Sequence, residues 1–246
     1  MNKLVFFIFI FVSIFSNTKS QEILSNTLVL VDFSDSYFKP HDKNRKNKFE
    51  KAIDETFRLI KNSFEYVPKN SLIQVLPINN LSMESPILCE IELAETNLIG
   101  EAIGDRGIVD EEELDIRLNL CKKIILKQKV DTVTDITGAL RKAVYLSDSQ
   151  AMSDDYRTVI IISDYDEFRG KDLIFEGEER LNLSNYKFLL VHSLEYKKKI
   201  DNKNVKIDPK KYAKKFSEKL KSMGAKKVFI VTESSRFSDN MLNKVF

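Results

Sequence analysis

The sequence predicts an α/β fold: a doubly wound, mostly parallel central sheet with one antiparallel edge strand and helices on both faces. Short apolar runs of strand length alternate with longer segments in which apolar residues recur every three or four positions. Several short runs are apolar without interruption, for example TLVLVDF at 27–33, as is typical of parallel strands covered on both faces. The chain has 246 residues, enough for one substantial core. We find no repeat or linker and interpret residues 23–246 as one domain.

The first half of the chain is expected to supply a strand, a helix and a hairpin. After the strand at 27–33, residues 42–65 carry apolar residues on one helical face, which predicts an amphipathic helix. Strands are predicted at 72–78 and 86–93, and the segment between them is too short for a helix. These two strands should therefore form a hairpin, which places one antiparallel strand at the sheet edge. Residues 94–110 are interpreted as a long insert.

The second half alternates helices with buried strands. Helices are predicted at 111–127, 135–147, 208–224 and 238–245, and strands at 157–163, 186–194 and 226–233. The third of these helices has the clearest limits, because Asp208 and Pro209 are typical of a helix start and Gly224 of a helix end. The basic stretch at 196–206 is interpreted as a solvated loop.

The N-terminal residues resemble a secretory signal peptide. Lys3 precedes an apolar run at 4–15, which is too short to span a bilayer comfortably, and Ser20 is a small residue at a suitable cleavage position. We therefore expect residues 1–20 to be removed before Gln21 and the protein to be periplasmic or secreted. An uncleaved N-terminal anchor is the alternative. No later segment is apolar enough to be expected to cross a membrane.

Charge and cysteine content exclude some functions and leave others open. The formal net charge is +2, and removal of Lys3 and Lys19 with the signal would bring it to about zero, so nothing indicates nucleic-acid binding. Cys89 and Cys121 could form a disulfide in an oxidising compartment or remain two buried thiols. Neither cysteine has a histidine or an acid at metal-ligand spacing.

Acids and hydroxyl groups follow two buried strands. Asp32 ends the first strand, and Ser34 and Ser36 follow it at alternate positions. Asp164 ends a later apolar strand, and Thr134 lies just ahead of a helix. Doubly wound sheets bind ligands outside the carboxyl ends of their strands, where the strand order reverses. If the two strands are neighbours there, these five residues converge on one crevice.

The five side chains suit a hard divalent cation. Three hydroxyls and two carboxylates are oxygen donors of the kind that Mg²⁺ prefers, and Mn²⁺ or Ca²⁺ is an alternative. Imidazole and thiolate ligands are missing from the set, which disfavours Zn²⁺ and Cu²⁺. Each residue alone also has a structural interpretation. Asp32, Ser34 and Ser36 could cap the strand and form a turn, and Thr134 could cap its helix.

Taken together, the three segments resemble the motifs of the von Willebrand factor type A domain (the integrin I-domain family) with a metal-ion-dependent adhesion site. The first family motif, D-x-S-x-S, matches Asp32–Ser36. The second is a threonine before a helix, matched by Thr134 with Ala139 and Leu140 at the expected offsets. The third is an aspartate after a buried strand, matched by Asp164. The resemblance spans about residues 26–245 and departs from the family at position 165, where tyrosine replaces the customary glycine.

The resemblance implies a role for each residue. Ser34 and Ser36 would ligate the ion through their hydroxyls, Thr134 would ligate it directly or through water, and Asp32 and Asp164 would act mostly through water. One coordination position would stay open and accept a glutamate or aspartate of a protein partner. We therefore predict a metal-dependent protein-binding module that is not an enzyme.

The alternative is a Mg²⁺-dependent phosphoester hydrolase, because acids at the carboxyl edge of a parallel sheet also serve phosphatases and some nucleases. A phosphatase pattern would carry a second aspartate where this chain has Ser34. A phosphate-binding P-loop, a G-x-S-x-G elbow and an H-E-x-x-H motif are all absent from the sequence. A third possibility is a scaffold of the same fold that no longer uses a metal.

Overall fold

The computed structural model has the predicted α/β architecture. It describes residues 25–38, 42–64, 67, 70–93, 110–149, 157–166, 181–200 and 203–233. The strands are β1 Ser25–Asp32, β2 Ser71–Ile78, β3 Cys89–Leu93, β4 Arg157–Ser163, β5 Tyr186–His192, β6 Tyr196–Ile200, β7 Lys203–Ile207 and β8 Lys227–Thr232. The helices are α1 Lys43–Asn62, α2 Glu111–Ile125, α3 Ile136–Ser149 and α4 Pro209–Ser222. The predicted signal at 1–20, the predicted insert at 94–110 except for its last residue, and the predicted C-terminal helix at 238–245 lie outside these residues.

A six-stranded sheet organises the fold, in the order β3-β2-β1-β4-β5-β8. All neighbours pair in parallel except β2 and β3, which form the predicted antiparallel hairpin at one edge. The chain builds outward from β1 in one direction and then returns to add β4 on its other side. The strand order therefore reverses between β1 and β4, and the carboxyl ends of these two strands meet there.

Uninterrupted apolar strands are explained by helices on both faces of the sheet. Successive residues of a strand point to opposite faces, so Val29 contributes to one core cluster and Leu28 to the other. The first cluster includes Phe49 of α1 and residues of α2. The second includes Leu140 of α3 and Phe216 of α4. The central strands thus have no solvent-facing side, which is why the sequence shows no alternation of polar and apolar residues in them.

The predicted helix limits lie close to the observed ones because capping residues mark them in the sequence. Asp42 precedes α1, and its Oδ1 accepts hydrogen bonds from the backbone N–H groups of Asn44 and Arg45 at 3.0 and 3.2 Å. Asp208 caps α4 in the same way, with Pro209 in the first turn, as predicted. No helix in the described part of the chain is both long and apolar enough to span a membrane.

The basic stretch predicted as a loop is instead a β-hairpin. Strands β6 and β7 pair antiparallel, with Tyr196 opposite Ile207. Lysine-rich strands are uncommon, and the apolar residues that anchor this hairpin form a pair at its base, where β6 begins and β7 ends. Ile207 is fully buried, and Tyr196 is partly buried. The hairpin is thus held to the body of the protein at its base, an arrangement that local sequence does not reveal.

Cys89 and Cys121 form a disulfide in the structure. The bond joins the start of β3 to α2, with the two Cα atoms 5.7 Å apart, a normal separation for a disulfide. Of the two alternatives that the sequence left open, the structure contains the bonded one. The disulfide ties the antiparallel edge strand to a helix and encloses the chain between them.

Candidate metal centre

The D-x-S-x-S segment forms a tight turn at the end of β1. Asp32 is fully buried, and its Oδ1 accepts a hydrogen bond from the backbone N–H of Ser34 at 2.8 Å. The carbonyl of Ser34 then accepts bonds from the N–H groups of Tyr37 and Phe38 at 3.0 and 2.8 Å. This turn brings the Ser34 and Ser36 hydroxyl oxygens to 2.9 Å from each other. Alternate side chains therefore point toward a common centre, as the spacing predicted.

Asp164 lies beside this turn, immediately after β4, and is also fully buried. The register of β1 and β4 places the end of β4 next to Asp32. Ser163 joins the two strand ends, because its hydroxyl donates to Asp32 Oδ2 at 2.5 Å. The Ser36 hydroxyl is close enough to Asp164 to oppose in part the rise in the pKa of this carboxyl that burial causes. The structure thus brings Asp32, Ser34, Ser36 and Asp164 together.

Thr134 occupies the neighbouring loop. Asp131 pairs with the segment around Ser34: its N–H donates to the Phe33 carbonyl at 2.9 Å, and its carbonyl accepts from the Asp35 N–H at 2.7 Å. Three residues later, Thr134 is half-buried ahead of α3. In the described part of the chain it makes no direct hydrogen bond to the other four residues, so its placement rests on the Asp131 bridge.

Both carboxylates are held in surroundings that disfavour their charge. Burial, followed by the charge of Asp164, raises the pKa of Asp32 to about 7, although hydrogen bonds from Ser163 and Ser34 oppose this rise. Burial also raises the pKa of Asp164, and a hydrogen bond from Tyr196 opposes it. Two adjacent buried carboxylates form a site that a bound cation would stabilise.

The donor atoms fit a hard divalent ion held partly through water. Every carboxylate oxygen already accepts a hydrogen bond: those of Asp32 from the Ser34 N–H and Ser163, and those of Asp164 from the Asp166 N–H at 3.0 Å and the Tyr196 hydroxyl at 2.5 Å. Such oriented carboxylates can bind ordered water, while hydroxyl oxygens keep free lone pairs. Among the residues described, no group of three or more His, Cys, Asp or Glu could hold a metal. A cation here would therefore need the hydroxyls.

Tyr165 stands where the resembled family has glycine, and its backbone has the conformation that glycine favours. Its φ is 56°, in the left-handed region that is costly for other residues. The side chain is completely buried, and its hydroxyl donates to the Ile161 carbonyl at 2.9 Å. The ring also packs 5.9 Å from that of Phe216. Packing of the tyrosine therefore offsets an unfavourable backbone conformation directly after Asp164.

Sequence reasoning missed the two residues that connect the halves of this site. Tyr196, at the start of β6, donates its hydroxyl to Asp164. The guanidinium of Arg45 lies 4.3 Å from the centre of the Tyr196 ring and donates a hydrogen bond to the Ser36 carbonyl. Both contacts join segments distant in sequence, so no local pattern could have indicated them. Ser163 did carry a signal, since it is a hydroxyl residue directly before Asp164.

Comparison with known proteins finds similarity in solved structures and none in family models or curated sequences. No family model matches the chain, and no curated protein matches it. A von Willebrand factor type A protein from Catenulispora acidiphila is 10% identical with a TM-score of 0.46, covering 90% of this chain and 40% of that one. The SpRpn10 VWA domain is 10% identical with a TM-score of 0.42, covering 90% and 95%. The ArnB paralog VWA2 from Sulfolobus acidocaldarius is 13% identical with a TM-score of 0.42, covering 92% and 45%. The chain thus spans less than half the length of the first and third.

Proposed function

We propose that this chain is a binding module of the von Willebrand factor A type that uses a divalent cation to hold a carboxylate of a protein partner. The ion would be Mg²⁺, with Mn²⁺ or Ca²⁺ as alternatives, at Asp32, Ser34, Ser36, Thr134 and Asp164. One observation carries the proposal: two buried carboxylates and two adjacent hydroxyls meet where β1 and β4 end. Their spacing in the sequence resembles that of a known adhesion motif.

Some residues of the chain would bind the ion, and others would orient the side chains that bind it. Ser34 and Ser36 would offer hydroxyl oxygens directly, while Asp32 and Asp164 would act through ordered water. The Ser163 hydroxyl fixes the rotation of the Asp32 carboxylate, and the Tyr196 hydroxyl fixes that of Asp164. When bound, the cation would supply a Lewis-acidic coordination position for an oxygen of the partner.

Charge balance explains why the ligand would be a carboxylate. The two aspartates can neutralise a divalent ion, whereas the serine and threonine hydroxyls add no charge. Within the proposed ligand set only Asp32 and Asp164 carry a formal negative charge, at a distance from the ion set by the intervening water, and Asp166 adds one beside Asp164. An ion held in this way keeps strong attraction for a further anionic oxygen, and a partner's glutamate or aspartate supplies one.

The proposed role is binding without catalysis. A hydrolase would need a group free to move a proton at the metal centre. Asp32 has a suitable pKa of about 7, but both of its oxygens are engaged, by the Ser34 N–H and the Ser163 hydroxyl. His192, the histidine within the described ranges, is buried, and its Nδ1–H donates to the Ser193 carbonyl at 2.8 Å. Incubation with p-nitrophenyl phosphate and Mg²⁺ or Mn²⁺ should give no turnover. Turnover that is lost in Ser34→Ala would favour the hydrolase instead.

We further propose that the module acts in the periplasm or outside the cell. The signal-like residues 1–20 support this proposal, and so does the Cys89–Cys121 disulfide, since such bonds persist in oxidising compartments. Expression of the full chain followed by mass spectrometry of the periplasmic or culture fraction should find a protein that begins at Gln21. Recovery of the uncleaved chain in the cytoplasm alone would contradict this localisation.

Thermal unfolding with and without Mg²⁺ tests the metal centre. A ligand that binds the folded state stabilises it by about 2.7 kcal/mol at one hundred times its Kd. The melting temperature should therefore rise with Mg²⁺ and fall back on addition of EDTA. Ser34→Ala should abolish this response, whereas Ser217→Ala, a buried serine of α4, should preserve it. An equal Mg²⁺ response in Ser34→Ala would contradict the proposed ligand set.

A further inference from the structure

A second polar pocket adjoins the candidate metal centre. It lies between the turn after β1, the first turns of α1 and the segment that leads from β5 into β6. Its polar and charged lining residues are Tyr37, Arg45, Lys48, Ser193, Glu195, Tyr196 and Glu233. None of these residues belongs to the proposed ligand set, and their chemistry differs from it, because two cations, Arg45 and Lys48, lie in the same pocket as the buried acid Glu233.

Two residues form a common wall between this pocket and the metal centre. Tyr196 lines the pocket and donates its hydroxyl to Asp164 on the other side. Arg45 lines the pocket, lies over the Tyr196 ring and donates to the Ser36 carbonyl. One short peptide segment could therefore place one side chain in the pocket and another, a few residues away in its sequence, at the metal.

The charges that line the pocket favour an anion. Glu195 is engaged by Lys206 at 2.6 Å, and Glu233 is buried, with its Oε1 accepting from the Leu194 N–H at 3.2 Å. Among the residues that the structure describes, Lys48 and Arg45 form no ion pair, although both attract the Glu233 carboxylate across the pocket. Two cations thus face one buried acid, and the balance is positive.

Two buried hydroxyls in the pocket wall also lack hydrogen-bond partners. Tyr37 is 4% exposed and Ser193 is 8% exposed, and neither hydroxyl has a partner in hydrogen-bonding geometry among the described residues. Burial raises the pKa of Glu233, and the nearby Tyr37 hydroxyl partly opposes this rise, although it forms no regular hydrogen bond with that acid. A buried polar group without a partner costs free energy, and satisfied groups are the rule in folded proteins. Both hydroxyl oxygens are buried, so either would donate to a ligand oxygen only after its side chain rotates toward the pocket.

We propose that this pocket binds a second carboxylate from the same acidic segment whose first carboxylate binds the metal. The inference rests on the proposed function, because it assigns the partner's first carboxylate to the ion. It predicts the kind of partner, which is a protein segment with two acidic residues close together in its sequence. A carboxylate fits better than a carboxamide, because the pocket offers an excess of cationic donors.

Capped peptides can test this pairing without knowledge of the natural partner. The probes are acetyl-Asp-(Gly)n-Asp-amide, with n from zero to four, which spans roughly 3.5–17 Å between the two aspartates when extended. The matched controls are the acid–amide peptides acetyl-Asp-(Gly)n-Asn-amide and acetyl-Asn-(Gly)n-Asp-amide. Isothermal titration calorimetry with the Mg²⁺-loaded protein should show, at the best n, at least about tenfold tighter binding of the diacid than of either control, as expected for one added charge-assisted contact.

Lys48→Met is the variant that isolates the pocket. It removes an exposed charge and keeps most of the side-chain bulk, while leaving Arg45 to support Tyr196 and Ser36. We expect it to reduce diacid affinity to the level of the acid–amide peptides and to leave those peptides and the Mg²⁺ response unchanged. Lys43→Met, which removes an exposed charge at the start of the same helix, should preserve the diacid preference.

The outcomes separate this inference from the proposed function. Equal binding of diacid and acid–amide peptides at every n, with both lost in EDTA, would overturn the second site and leave the metal function intact. Diacid binding that persists in EDTA and disappears in Lys48→Met would support an anion pocket and overturn the metal-mediated function. No binding of any diacid to the Mg²⁺-loaded protein would overturn both.

Discussion

Replacement of Asp32 by asparagine tests whether the negative charge of this buried acid destabilises the protein when no cation is bound. Burial and the charge of Asp164 raise the pKa of Asp32 from its ordinary value of 3.8 to about 7. One pKa unit corresponds to about 1.4 kcal/mol, so ionised Asp32 costs the metal-free protein about 4 kcal/mol. The asparagine side chain has no such charge, and its carbonyl can still accept from the Ser34 N–H. Lost contacts to Ser163 offset part of the gain, so we expect Asp32→Asn to stabilise the metal-free protein by about 1–3 kcal/mol above pH 7.

The pH dependence of this gain has a definite sign. A carboxyl whose folded-state pKa is raised binds its proton more tightly in the folded state than in the unfolded chain. Its favourable contribution is complete below about pH 4 and is lost as the pH rises through about 7. The metal-free wild type should therefore lose stability relative to Asp32→Asn across this window. Below about pH 4 Asp32 is protonated, so only the lost contacts to Ser163 remain, and Asp32→Asn should be the less stable protein by about 1–3 kcal/mol.

Urea unfolding in EDTA, followed by circular dichroism, measures this difference from pH 4 to pH 8. The chain contains no tryptophan, so a far-ultraviolet signal is the suitable probe. Asp35→Asn is the matched control, because Asp35 lies in the same turn but is exposed, and its stability should change by less than about 0.5 kcal/mol. Asp32→Asn should also lose the stabilisation by Mg²⁺. A variant that is equally destabilised at every pH would refute the reasoning.

Three further perturbations test other parts of the structure. Reduction of the Cys89–Cys121 disulfide, whose cysteines are 32 residues apart, should lower the free energy of unfolding by about 3–4 kcal/mol in urea titrations, and no change would contradict its role. Tyr165→Gly should lower the free energy of unfolding in urea by about 2–4 kcal/mol, because loss of the buried ring costs more than glycine gains at a positive φ. A more stable variant would show that the backbone strain outweighs the packing of the ring. Tyr196→Phe should cost about 1–3 kcal/mol at neutral pH in EDTA by removing the hydroxyl that donates to Asp164, and an unchanged urea midpoint would argue against that contact.

Most of the sheet could be predicted from local patterns. The apolar runs that became β1 and β4 are buried on both faces, and their compositions follow directly from that burial. The hairpin of β2 and β3 followed from a connection too short for a helix. The convergence of Asp32, Ser34 and Ser36 followed from their alternate spacing at a strand end, which a tight turn converts into a cluster.

The remaining features depend on contacts between distant segments. The lysine-rich composition of β6 and β7 did not predict strands, because strand propensity does not hold this hairpin in place. Two anchor residues at its base do so instead. Tyr196 reaches Asp164 only once that hairpin is folded, and Arg45 reaches Ser36 only because α1 begins beside the turn. Pairing of Cys89 and Cys121 likewise depends on the relative position of β3 and α2.

Crystals grown with Mn²⁺ would test the central claim most directly, because anomalous scattering locates this ion without assumptions about its ligands. We expect one strong anomalous peak at the carboxyl edge of the sheet, about 2.0–2.6 Å from the hydroxyl oxygens of Ser34 and Ser36. Asp32 and Asp164 should flank the peak through ordered water. A map with these four side chains well defined and no peak between them would contradict the account.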